Sequence, residues 1–199
     1  LRAEKISNEF NSNFIYVGGG DEYQIVHKLK TLNEKLVIPL NYPKAYKIND
    51  PYLAKKIPLK KLKHWELAPS NATYLNNESL TFSFTSFGIK NPIDFWKNIR
   101  KTISRGISKE KVLASLTTVP AKQIGVSFNL GTLEKGKFAS FCIYEKDPFL
   151  VKSPLYSSWI MGKECIVGNP KKYNLSGEYN LNLNNKNYEI SIEKNNETI

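Results

Sequence analysis

The sequence predicts an α/β chain whose first half is built on a parallel sheet and whose second half turns to antiparallel strands. Three observations carry that expectation. Two short all-apolar runs are separated by one stretch of helical periodicity, which is a βαβ pattern and implies parallel strands covered by a helix. A third β-prone run is followed by two further helical patterns. After Gly125, short strands and glycine turns replace helices altogether.

The elements follow in order. Phe14, Ile15, Tyr16 and Val17 form the first strand, and Gly18, Gly19 and Gly20 end it. Asp21 is placed to cap a helix in which Ile25, Val26, Leu29 and Leu32 recur at helical spacing through Asn33. Leu36, Val37, Ile38, Pro39 and Leu40 make the second strand. Residues 41–77 hold Pro43, Pro51, Pro58 and Pro69 and read as a long irregular cover, with one short helix near residues 58–65. Residues 80–85 alternate as a third strand. Asn91 and Pro92 open a helix with Ile93, Trp96, Ile99 and Ile103 as its buried stripe, ended by Gly106. Ser108 caps the next helix, with Val112, Leu113 and Leu116 inward, and Pro120 starts a last turn closed by Gly125. Strands are expected at residues 138–144, 159–161 and 164–167. The segments 177–183 and 187–192 alternate around Asn184, Asn185 and Lys186 as a hairpin.

Composition bounds the class. In 199 residues the hydrophobic fraction is 41%, that of a folded chain rather than a disordered one. No apolar run approaches the ~20 residues that span a bilayer, so no membrane partner is expected. Residues 1–10 show no signal peptide, which says little in a chain beginning with Leu. The compartment stays open between cytoplasmic and exported. A net charge of +11 raises the prospect of an anionic partner. Lysines 55, 56, 60, 61 and 63 beside Trp65 have a basic-aromatic look, but the bland reading, a solvated surface, is preferred and a nucleic-acid partner is not expected. Cys142 and Cys165 could form a single disulfide, but two buried thiols are the preferred expectation.

Candidate site residues are few. Gly18, Gly19 and Gly20 open a helix, so their N–H groups could hold an anion, or simply form a tight turn. Asp21 and Glu22 read as helix-start carboxylates. His27 reads as a surface residue. His64, in the long cover, is either structural or a substrate contact. The substrate-binding candidates are therefore His64, Gly19, Gly20 and Asp21.

Two stretches carry a family resemblance. Residues 116–125 (LTTVPAKQIG) and 130–140 (LGTLEKGKFAS) resemble the helix-end signature and the following Gly-Lys segment of amidohydrolases related to imidazolonepropionase and dihydroorotase. Residues 159–163 (WIMGK) resemble the closing strand of the same family's small β-sandwich. The resemblance implies the C-terminal part of a (β/α)₈ barrel over residues 1–125, a small β-sandwich segment over 126–168 and an appended β-hairpin tail over 169–199. It implies a bacterial hydrolase relative acting on C–N bonds. Its remaining barrel strands, or a second such domain, come from elsewhere, and a homo-oligomer is the other way to cover its edges. The family holds zinc or another divalent metal with a His-x-His pair, further histidines and an Asp after the last strand. The metal-bound water becomes the nucleophile. Where the family reads His-Gly this chain reads Gly18-Gly19, and where it reads Thr-x-Asp-Gly this chain reads Thr85-Ser86-Phe87-Gly88. No Asp or Glu lies between Glu78 and Asp94. The resemblance therefore implies no metal and no catalytic residue in this segment, with Phe87 at the Asp position. It implies a pseudoenzyme-like structural or substrate-positioning module. The alternatives are part of an active amidohydrolase completed by ligands from elsewhere, and a basic anion or nucleic-acid binder.

Overall fold

The computed structural model describes residues 2–32, 35–167, 176–183 and 186–192. The chain separates into two compact units, Leu1–Val167 and Gly168–Ile199.

The first unit is mixed α/β. Strands β1 (Tyr16–Val17), β2 (Leu36–Pro39) and β3 (Phe82–Thr85) form a parallel sheet in the order β1-β2-β3. Register sets Tyr16 beside Leu36 and Leu36 beside Phe82, with Ile38 beside Phe84. These side chains share one face, and Leu36, Ile38 and Phe82 are buried there with Ile99 and Val112. Ile99 belongs to α5 (Ile93–Ser104) and Val112 to α6 (Lys109–Leu116), so these two helices cover that face. Val17, Val37 and Ser83 share the opposite face, where Val17 is 60% exposed. The amide of Gln123, in α7 (Thr118–Gln123), closes the N-terminal end of that face. It accepts from Ser83 Oγ at 2.6 Å and donates to the Leu36 carbonyl at 3.0 Å.

Caps and turns behave as the residue types demand. Ser108 Oγ accepts from the Lys111 N–H at 3.3 Å, and the Asn91 side chain accepts from the Ile93 N–H at 3.1 Å. Gly106 and Gly125 end their helices at φ +105° and +75°, which a side chain would disfavour.

Several expectations need correction. The strand expected from Phe14 is only Tyr16–Val17, with Phe14 and Ile15 exposed outside it. The helix expected after Asp21 is two 3₁₀ segments, Glu22–Gln24 and Val26–Leu32. Asp21 makes no capping bond; the first turn instead swings Glu22 inward, and Ile25 is left 41% exposed. Residues 41–77 are far more helical than expected. They contain α2 (Pro51–Lys55), α3 (Leu59–Leu67), a 3₁₀ turn (Ala68–Ser70) and α4 (Asn71–Asn77). Pro51 starts its helix, Pro58 immediately precedes one and Pro69 sits in the first turn of another, positions where the missing N–H costs nothing. Ile93 and Leu113 face solvent, because the buried stripes run through Ile99 with Thr102 and through Val112 with Ser115. A further helix, α1 (Arg2–Glu9), had no expectation attached to it.

An antiparallel sheet of β4 (Phe141–Tyr144), β5 (Leu155–Ile160) and β6 (Lys163–Ile166) follows in the same unit. Trp96 of α5 meets Tyr144 and Phe149 edge-on, with ring centroids 5.4 and 5.5 Å apart. Lys109 Nζ lies 2.9 Å from Asp147, and its hydrogen bond holds that exposed carboxyl below the usual range. Cys142 and Cys165 both stand opposite Ser158, one on each side, and both are exposed rather than buried. Apolar neighbours in sequence mark a strand but not which of its faces is covered. The second unit contains β7 (Gly177–Leu183) paired antiparallel with β8 (Lys186–Ile192); the expected turn residues Asn184 and Asn185 lie outside the described residues.

A polar tie fixes α5 to the end of β2. Asn98 Nδ2 donates to the Leu40 carbonyl at 2.7 Å. Thr102 Oγ1 gives its hydrogen to the Asn98 carbonyl at 2.8 Å, so the Tyr42 hydroxyl, 2.5 Å away, is the donor to Thr102. Burial pushes the Tyr42 phenol up to about 12. The folded chain thus keeps a proton that the unfolded chain releases near its ordinary value of 10.0. Stability is full below pH ~10 and falls as pH rises towards ~12. Urea titrations at neutral pH and in that alkaline window should show this loss, and Tyr42→Phe should make it shallower.

Candidate functional site

In open α/β sheets the reacting or binding groups gather beyond the carboxyl ends of the strands. Here three loops leave those ends: Gly18, Gly19 and Gly20 after β1, Leu40 and Asn41 after β2, and Ser86, Phe87 and Gly88 after β3. They lie close together. A Cβ on Gly88 would come within 2.6 Å of Asn41 Nδ2, and one on Gly20 within 3.6 Å of Pro39.

The glycine turn already holds an anion, and it is the chain's own. Glu22 is 5% exposed, and its carboxylate accepts from the Gly20 N–H at 2.9 Å and from Asn71 Nδ2 at 2.5 Å. A Cβ on Gly18 would sit 2.0 Å from Glu22 Oε1, so the carboxylate fills the space that any other residue would occupy. Asn71, at the start of α4, also accepts from the Tyr23 N–H at 2.8 Å. One carboxylate and one amide therefore clamp the turn after β1 to the helical cover.

The same cover brings His64 to the turn. His64, in α3 and half-buried, stacks on Tyr23 with centroids 6.2 Å apart, and its Nδ1 lies 3.2 Å from the Tyr23 hydroxyl. Tyr74 of α4 completes an aromatic cluster at 6.2 Å from Tyr23. Burial, reinforced by the charge of Asp21, raises the Tyr23 phenol above its ordinary value. Asp21 itself is exposed and accepts from Gln24 Nε2 at 3.1 Å, and Gly19 is exposed beside it. Of the sequence candidates, Gly20, Gly19 and Asp21 share the turn, and His64 reaches it through Tyr23. Glu22 and Asn71 were missed in these roles. Glu22 looks like an ordinary first-turn carboxylate, and Asn71 lies 49 residues away with no local signal. His27 is on the surface, 3.4 Å from Glu78.

At the end of β3, Phe87 is 73% exposed, and its N–H donates to Thr85 Oγ1 at 3.1 Å. Neither Phe87 nor Gly18 and Gly19 offers a side-chain lone pair to a cation. Among the described residues no three His, Cys, Asp or Glu side chains come together as a metal site. Among the described residues, then, Phe87, Gly18 and Gly19 add no donor to a metal site at this end of the sheet. Beside the same loop is a cavity of about 500 Å³ lined by Ser86, Ile89, Pro92, Phe95 and Trp96, with no titratable group on its wall.

Replacing Gly18 by Ala should destabilise the chain by about 1–3 kcal/mol, because Glu22 cannot yield without losing its buried bonds. Gly19→Ala should cost under ~1 kcal/mol, since its nearest neighbour is the exposed, movable Asp21 carboxylate. Urea denaturation of the two variants measures the contrast.

No protein-family model matches this chain, and no curated protein matches it. Among solved structures, an amidohydrolase from Thermotoga maritima superposes with a TM-score of 0.61 at 23% identity, over 81% of this chain and 39% of that one. An adenosine deaminase from Xanthomonas campestris with bound zinc has a TM-score of 0.46 at 14% identity, over 83% of this chain and 48% of that one. The match thus spans well under half the length of the Thermotoga protein. The likeness to that protein shows that this chain has part of its fold.

Proposed function

We propose that the chain is the C-terminal part of an amidohydrolase-related (β/α)₈ barrel that serves as a structural or substrate-positioning module rather than as the metal-dependent catalyst. On this reading residues 1–125 belong to the barrel, 126–168 to a small β-sandwich and 169–199 to an appended hairpin. The fold shared with the Thermotoga protein supports the barrel, as does the parallel order β1-β2-β3. The imidazolonepropionase-like branch rests on residues 116–125 and 130–140 alone.

The observation that carries the loss of chemistry is Phe87. Metal-dependent hydrolysis needs donors aimed at a cation and a base to move a proton from the attacking water. A phenyl ring beyond the last strand supplies neither. Gly18 and Gly19 leave no imidazole at the end of β1. What remains there is a recognition surface: the Tyr23–His64 pair offers hydrogen-bonding groups on stacked rings, and the Glu22–Asn71 clamp holds it against the turn.

Elemental analysis of the complete protein, purified without chelator, tests this reading. Zinc, manganese and iron should each be far below one per chain. A stoichiometric divalent metal would instead favour an active amidohydrolase completed by ligands from outside this segment, and the positioning role would fall.

A further inference from the structure

We propose that the helical cover docks this protein on an anionic lipid surface. The inference is independent of the proposed function and rests on how charge is placed. Residues 44–63 hold seven lysines and one acid, Asp50, a net +6 out of the whole chain's +11. More than half of the net charge thus sits in a tenth of the length, which an evenly spread composition bias does not produce. All seven lysines are exposed, and none of them forms an ion pair among the described residues.

The apolar residues between them decide which anion. Ile48, Tyr52 and Leu59 are 63%, 79% and 66% exposed. Within α3, Lys63 stands three and four residues from Lys60 and Leu59, which places them along one side of that helix, and Lys56 lies in the turn just before it. Single-stranded nucleic acid is gripped through stacking aromatics and arginine. This segment has no arginine, and the aliphatic tips of Ile48 and Leu59 cannot stack on a base. Lysine heads flanking aliphatic and tyrosine tips fit the boundary of a bilayer, where the charges meet anionic headgroups and the tips enter the acyl edge. No helix among the described residues is long and apolar enough to cross a membrane, and binding at the surface requires none.

Co-sedimentation of the complete protein with phosphatidylcholine vesicles, with and without roughly a third phosphatidylserine, tests the proposal. Binding is expected on the anionic vesicles alone and should weaken as added salt shortens the screening length. The triple variant Lys56→Glu, Lys60→Glu, Lys63→Glu should lose binding by about a hundredfold or more, since each lysine near such a surface contributes about fivefold. Ile48→Ser with Leu59→Ser should lose about tenfold through the apolar area no longer buried. All five side chains are exposed, and circular dichroism of each variant should match the parent. Absence of binding to the anionic vesicles, equal binding to neutral ones, or indifference to the triple variant would overturn the proposal. So would tighter binding to a short single-stranded oligonucleotide with no effect of the apolar double variant, which would assign the surface to nucleic acid.

Discussion

A parallel strand is satisfied only when both its edges are paired and both its faces are covered, and β2 alone meets the edge requirement here. It lies between β1 and β3, and Leu36, Ile38 and Leu40 are almost fully buried. β1 and β3 each pair with β2 and with no other strand among the described residues. On the face away from α5 and α6, Val17 remains open to solvent. That imbalance organises the rest. The helices cover one side of the sheet, Gln123 plugs the base of the other, and the three loops beyond the strand ends have to find partners among themselves and the cover.

They find them in the chain's own side chains. Glu22 supplies the acceptor that the Gly20 N–H needs, Asn71 supplies the donor that Glu22 needs, and Tyr23 joins the same network through its backbone and its ring. A buried carboxylate persists only where its oxygens are hydrogen-bonded. The turn that could have received an outside anion is thereby closed. At the end of β3 the chain offers an aromatic ring. On the proposed reading, this end of the sheet serves recognition by hydrogen bonds and stacked rings.

Local signals were legible wherever one residue type answers to one backbone need. The Ser108 cap, the Asn91–Pro92 start, the helix-ending Gly106 and the parallel strands at Leu36 and Phe82 all follow from short-range rules. Long-range partners were not legible. Nothing local to Glu22 says that Asn71 will meet it, so the segment after Asp21 reads as a regular helix when it is two tighter turns built around an inward carboxylate. The prolines at 51, 58 and 69 look like loop markers, yet each occupies a helix-start position. Cys142 and Cys165 sit among apolar residues, but the face they occupy depends on what packs over the sheet. For the candidate site, Gly19, Gly20, Asp21 and His64 were visible as residues; the Tyr23 contact that links His64 to the turn was not.

The central claim is that these three parallel strands are part of a larger closed sheet. Sedimentation velocity with a thermal melt of the 199-residue chain alone, at low micromolar concentration, tests it most directly. Unpaired edges at β1 and β3 predict self-association, or a broad, shallow unfolding transition that sharpens when the remaining barrel strands are supplied. A monodisperse monomer with a steep, reversible melt would mean that the open edges and the exposed face at Val17 need no partner, and the account built on them would fail.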